Sequence, residues 1–191
     1  MHAELSFEPS THSYTLGDKK LPSVTQVLRF LEDFEHVPQH LLEAAAQFGR
    51  HVHEACHLHN LGVLDWDRLD GQLEPYVRAY DKFLVESGFV VTASEERVAN
   101  AVYGYAGTLD VRGLLNKRPT LIDIKSTATL SRTVGPQTAA YEKCMAVRHA
   151  RAALHLRPDG TYRFTKFTEP TDWPMFQSCL NLNNWKNRHA T

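Results

Sequence analysis

Leu121-Ile122-Asp123-Ile124-Lys125-Ser126 is a nearly continuous apolar run with a carboxylate and an ammonium set into it. Its β-branched residues favour a strand. On a strand, side chains alternate between faces. Ile122 and Ile124 then point into a core, and Asp123 and Lys125 stand side by side on the other face. A charge between core residues persists only where it is paired or used. An internal Asp–Lys ion pair would meet that condition, and so would a ligand held by the pair.

Working outward, Gly107-Thr108-Leu109-Asp110 places a second carboxylate on the preceding strand, and Asn116-Lys117-Arg118-Pro119 reads as the turn between the two. A hairpin through that turn brings Asp110 close to Asp123. Two neighbouring carboxylates repel, and a divalent cation is the usual remedy. Mg²⁺ takes oxygen ligands and keeps waters, so two carboxylates plus a substrate phosphate suit it. Lys125 beside them could stabilise phosphate charge or position a water, which is the chemistry of phosphodiester hydrolysis.

The flanking sequence predicts a hairpin over 4–16, a turn at Gly17-Asp18, and a helix opened by Pro22-Ser23 with Ser23 as N-cap. Helices follow over about 41–59 and 73–86, the second stopped by Gly88. Strands are expected at 90–99, 104–115 and 121–126, then a helix from Pro136 to about Arg151. Strands at 152–156 and 162–167 flank a Pro-Asp-Gly turn, and a last helix follows Trp173-Pro174. This order predicts an α/β (α+β) sandwich, a mixed central sheet flanked by helices. One domain over 1–191 is expected: a mostly helical part with a short hairpin to 90, a sheet and helix over 90–170, and a C-terminal helix over 171–191.

The net charge of −1 conceals an asymmetry. Residues 1–110 carry 8 basic and 17 acidic side chains, whereas 111–151 carry 8 basic and 2 acidic. A basic segment beside an acidic one fits a polyanion partner near a carboxylate site, or simply a solvated face. There is no apolar stretch of membrane-spanning length and no signal pattern at the N-terminus, so the expected location is the cytoplasm. Cys56, Cys144 and Cys179 lie far apart with no CxxC pair, which argues against a zinc ribbon or an all-cysteine iron–sulfur cluster.

Asp110 followed by Asp123-Ile124-Lys125 resembles the signature of the PD-(D/E)XK nuclease superfamily. Gln137 and Tyr141, four apart on one helical face, resemble the Q-x-x-x-Y motif of its RecB-like exonuclease branch, and Gly49-Arg50-His51-Val52-His53 resembles that branch's G-x-x-x-H motif. Phe7, His12-Ser13-Tyr14 and Leu21-Pro22-Ser23-Val24-Thr25 are similar to the start of phage-borne members. The resemblance implies a restriction-endonuclease-like core and one or two Mg²⁺ or Mn²⁺ ions, without an iron–sulfur cluster. It implies metal ligation by Asp110, Asp123, the Ile124 carbonyl and His53, with Glu96 in the place of a further acidic residue. Lys125, Gln137 and Tyr141 complete the catalytic set. DNA would be the substrate, cut from linear ends in recombination or DNA processing. A single-strand annealing protein or a helicase would be a partner, and a homo-oligomer is allowed. Leu109 stands where the motif has proline. Arg132, Lys143, Arg148 and Arg151 are candidate phosphate contacts, and Ser23 and Thr25 could take a terminal phosphate at a helix N-terminus.

Two other readings compete. His53-Glu54-Ala55-Cys56-His57 is a literal H-E-x-x-H, a zinc-protease pattern whose third ligand would have to come from Glu74 or Glu86. A non-catalytic DNA-binding module would keep the fold and the basic segment without the activity.

Overall fold

A computed structural model describes residues 4–32 and 36–189. A small antiparallel sheet opens the chain: β1 (Leu5–Glu8), β2 (Ser13–Leu16) and β3 (Lys19–Leu21). The sequence reading had only a hairpin here. Gly17, at φ 58°, makes the expected turn, but the chain then pairs back on β2 as a third strand. Ser23 caps the short α1 (Val24–Leu28), which runs into a 3₁₀ turn over Arg29–Leu31. Two longer helices follow, α2 (Gln39–Asn60) and α3 (Glu74–Ser87). Gly88 ends α3 in the left-handed conformation, its N–H donating to the Leu84 carbonyl.

The central sheet has the order β4 (Val90–Asn100), β5 (Tyr105–Leu115), β6 (Arg118–Lys125), β7 (Ala150–Leu156), β8 (Tyr162–Phe167). Its pairs are antiparallel except β6 with β7, which run parallel across the crossover helix α4 (Val134–Glu142). The last helix, α5, spans Asp172–Arg188. This is the mixed, helix-flanked sheet that the sequence predicts. Asn116 and Lys117, both at positive φ (51° and 63°), form a two-residue turn of the hand that suits twisted strands. The crossover helix is shorter than expected, stopping at Glu142 where the sequence reading carried it to Arg151. Ala150 and Arg151 pair with Thr120 and Leu121, and that parallel ladder requires extended chain.

The sheet has a core on each face. On one, α2 and α3 bring Val52, Cys56, Tyr80 and Phe83 onto Val111, Ile122, Ile124 and Leu154. On the other, α1, α4 and α5 bring Val24, Val27, Tyr141, Phe176 and Leu180 onto Tyr105, Leu109 and Leu121. Each fully buried large side chain contributes roughly 1.5–3 kcal/mol. Residues 134–141 of α4 are all buried, because α4 is wedged between sheet and α5. Small residues permit that approach: a Cβ on Gly135 would lie 2.5 Å from Asp172 Oδ1.

Gly113 faces the irregularity in β4 between Val91 and Ala93, and a Cβ there would fall 2.0 Å from the Val90 carbonyl oxygen. That obstacle is backbone and cannot swing aside. Gly113→Ala is therefore expected to destabilise the fold by at least ~1–3 kcal/mol, the usual range for overpacking. A urea midpoint equal to that of the unmodified chain would disprove this.

Candidate metal centre

Asp123 lies on the α4 face of β6, as alternation with Ile122 and Ile124 requires, and is 1% exposed. Lys125 Nζ forms an ion pair with Asp123 Oδ2 at 2.9 Å, and among the described residues no other group bonds to either carboxylate oxygen of Asp123. Lys125 also donates to Gln137 Oε1 at 3.3 Å, from the first turns of α4. One turn further on, the Tyr141 ring presses on β5 at Gly107, where a Cβ would sit 2.8 Å from Tyr141 Cε1. Next to Gly107, Thr108 shares a 2.8 Å hydrogen bond with the hydroxyl of the buried Tyr14 from the small sheet.

The β5–β6 ladder ends at Val111↔Ile122. Beyond it, Asp110 Oδ2 accepts the Ile124 N–H at 2.6 Å, so a side chain takes the place of the next ladder carbonyl. Leu109 packs on one helical layer and Val111 on the other, so the alternation of β5 slips at Asp110. Across from it Glu95 sits at φ 52°, off the strand conformation. The slip turns Asp110 and Glu95 toward α2, where His53 waits. His53 Nδ1 is 3.4 Å from Asp110 Oδ1 and 3.9 Å from Glu95 Oε1. Its Nε2 lies 2.9 Å from the Ile124 carbonyl, which can only accept, so Nε2 carries a proton there.

These groups set one another's charge. Burial opposes a charged His53, but the Asp110 carboxylate more than offsets it and carries the imidazole up to about 9. Burial would raise Asp110; the His53 charge, Lys125 and the Ile124 N–H together hold it below the ordinary carboxylate value. For Asp123 burial prevails over Lys125, and Asp110 adds repulsion, so its carboxyl is pushed up to about 6. Glu95 is pushed up to about 7 by burial and then by Asp110. Lys125 stays above its usual value despite burial, because Asp123 and Asp110 face it. Burial, with Asp110 and Asp123 adding repulsion, keeps the Tyr141 hydroxyl protonated.

The donor set fits a hard divalent cation. His53, Glu95 and Asp110 each offer a ligand atom within 4.8 Å of the others. Asp123 lies outside that trio, yet its two buried oxygens have only the Lys125 ammonium beside them among the described residues, an arrangement that costs free energy unless something else satisfies the remaining lone pairs. The Ile124 carbonyl adds a neutral oxygen, and a cation there would displace the His53 N–H proton.

Other expected site residues fall elsewhere. Glu96 turns to the opposite face and pairs with Arg112; Glu95 stands in its place. In sequence the two are adjacent, and the distortion at Glu95 that reverses their facing leaves no local signal. The Ser23 hydroxyl is used as N-cap, accepting the Gln26 N–H at 3.1 Å and sharing 3.1 Å with Thr25. Arg151 is 2.9 Å from Asp172 and also holds the Gly135 carbonyl, a structural role. Arg132 is exposed ahead of α4, and Lys143 and Arg148 are exposed beyond its C-terminal end. His57 bonds Ser94 Oγ at 2.6 Å, Glu54 is exposed, and neither joins the ligand trio, so the H-E-x-x-H residues do not converge. Glu74 pairs with Arg78, and Glu86 accepts from the Tyr162 hydroxyl. Glu32, which the sequence reading passed over, accepts from Thr133 Oγ1 at 3.4 Å and lies within the field of Lys125.

No protein-family model and no curated protein matches the chain. Among solved structures, it is similar to an alkaline exonuclease (LHK-Exo) from Laribacter hongkongensis, with 18% identity over 62% of this chain and 70% of that one, at a TM-score of 0.40. Against LHK-Exo in complex with dAMP the identity is 12% over 89% of this chain and 93% of that one, with a TM-score of 0.47. Likeness this distant says nothing about chemistry.

Two outcomes follow from the geometry. Asp123 ionises at a cost to the fold, so its contribution to stability is full below the usual carboxylate pKa and is lost as pH rises through about 6. Without added metal, Asp123→Asn should raise Tm at pH 7 by a few degrees, about 1 kcal/mol being worth ~2–4 °C in a chain of this size. The gap should close below pH 4; an equal or lower Tm at pH 7 would contradict the unsatisfied carboxylate. Second, Mn²⁺ should stabilise the unmodified chain against heat. That shift should shrink in Glu95→Gln and persist in Glu96→Gln, and the reverse pattern would move the ligand back to Glu96.

Proposed function

We propose that the chain is a divalent-metal-dependent nuclease that hydrolyses phosphodiester bonds in DNA. The observation that carries the reading is the buried Asp123 carboxylate, with Lys125 as its sole polar partner among the described residues, across from Asp110 and His53. Such a grouping is costly to fold and gains its use when a cation and a phosphate enter. Asp110, Asp123, the Ile124 carbonyl, His53 and Glu95 would hold one or two ions, Mg²⁺ or Mn²⁺. Bound there, the cation supplies Lewis-acid polarisation of a phosphoryl oxygen and a lowered pKa for coordinated water.

The chain's own groups do the rest. Lys125, kept charged by Asp123 and Asp110, orients the attacking water and stabilises charge building on a non-bridging phosphate oxygen. Gln137 fixes the Lys125 ammonium by accepting from it. Tyr141 keeps its proton and so offers a donor to the substrate backbone or the site wall. Arg132, exposed on the segment entering α4, would make a phosphate contact. Residues 1–191 act as one nuclease domain of PD-(D/E)XK type. The finer reading is a phage-type exonuclease working from linear DNA ends in recombination or DNA processing, with an annealing protein or helicase as partner. It rests on the motif resemblance of Asp110, Asp123-Ile124-Lys125, Gln137 and Tyr141.

Incubation with linear and circular DNA in Mg²⁺, Mn²⁺, Zn²⁺ or EDTA tests this. Metal-dependent loss of the linear form alone is expected, reduced at least about a hundredfold in Asp123→Asn and in Lys125→Ala. Cutting of the circle would make the enzyme an endonuclease. Unchanged turnover in either variant would remove the assignment. Silence under every metal would favour a non-catalytic DNA-binding module.

A further inference from the structure

One cavity lies away from the carboxylates. It is an open cleft of about 1070 Å³ at the other end of the sheet, between the start of β6 and β7, the end of β8 and the chain leaving α4. From Thr120↔Ala150 to Lys125↔His155 the parallel ladder has six pairs, five steps or about 16 Å at ~3.3 Å per residue. Arg118, Lys143, Arg148 and Lys166 stand exposed around the cleft, with only Glu142 and Glu169 as acidic lining residues. Arg118, Arg148 and Lys166 are in no ion pair among the described residues. Arg151, also at the wall, is neutralised by Asp172. Half-buried Met145, Phe167 and Trp173 supply apolar and aromatic surface to the same lining, and Lys143 Nζ already sits 5.8 Å over the Trp173 ring.

We infer that this cleft is a second nucleic-acid site, a non-catalytic groove that holds single-stranded DNA away from the scissile phosphate. Cations spaced along a trough with aromatic faces between them form the pattern that tracks a phosphate backbone and stacks bases without reading sequence. Charge complementarity favours a polyanion with stackable bases: four exposed cations face two carboxylates in the lining, and aromatic rings share it. The helix α4 joins the two sites, with Gln137 at the carboxylates and Ala139, Glu142 and Lys143 at the cleft. A strand gripped there is held while its end is presented at the other end of α4. The choice of DNA as the polyanion rests on the nuclease reading; the cleft itself does not.

The test is fluorescence anisotropy of a labelled single-stranded 20-mer in EDTA, so that binding is read without cleavage. Arg118→Glu/Arg148→Glu should weaken binding about tenfold or more. With two fewer phosphates neutralised, the slope of log affinity against log salt should become shallower by about 1.4. Arg157→Glu/Arg163→Glu, the same charge change on the exposed β7–β8 hairpin, should stay within about threefold. Hydrolysis of bis(4-nitrophenyl) phosphate, too small to span both sites, should be unchanged in the cleft variant. Unaltered affinity and slope in the cleft variant overturn the inference. So does an equal loss in the hairpin variant, which would mean diffuse charge rather than a groove. A shift in sedimentation with DNA affinity intact overturns it in favour of self-association. A chain that hydrolyses no DNA yet shows the specific loss keeps the groove and loses the nuclease reading.

Discussion

Asp123 is the constraint around which the rest is arranged. A carboxylate at 1% exposure whose only polar partner among the described residues is one ammonium is a cost that a fold of marginal stability does not carry idly. Lys125 reduces that cost without removing it, because an ammonium close to one oxygen satisfies charge better than it satisfies lone pairs. Gln137 and Tyr141 fill the face around the pair, and α4 is buried on all sides to hold them. The stability to hold this strained corner comes from the two cores that clamp the sheet from opposite faces.

The slip in β5 is what lets both faces of the sheet reach one place. A regular strand would put Asp110 and Asp123 on faces fixed by parity. At Asp110 the ladder stops and the carboxylate caps the Ile124 N–H, leaving the Ile124 carbonyl for His53. Residues from the α2 layer and from the α4 layer therefore meet at the C-terminal end of β6. Broken pairing at a strand end is a usual way to free polar groups for a site while keeping them anchored.

Much of this was legible in the chain. Ile122 and Ile124 flanking Asp123 announced a strand with one buried and one working face, and the turn after Leu115 fixed its antiparallel partner. Gln137 and Tyr141 share a helical face by spacing alone. Position 95 was not legible: it depends on a positive φ that nothing in Ser94-Glu95-Glu96 signals, and parity alone gave Glu96 the equal claim. The end of α4 was missed for a different reason. The stretch 143–149 has nothing a helix would refuse, and only pairing with β6, far away in sequence, extends the chain at Ala150. Arg151 looked like a surface cation because Asp172, which holds it, comes from the next helix.

The same logic explains why the basic segment read from the sequence did not gather at the carboxylates. Residues 111–151 run from β5 through β6 and α4 to β7, and therefore visit both ends of the sheet. Lys125 belongs to one end; Arg118, Lys143 and Arg148 belong to the other. Charge close in sequence is divided in space because β6 and α4 are antiparallel legs of one crossover. Arg118 at the mouth of β6 and a cation just past the end of α4 become neighbours, while Lys125, seven residues further along the strand, is carried about 23 Å away at ~3.3 Å each. The strand that carries a charge between two core isoleucines thus also sets the spacing between the carboxylate site and the cationic cleft.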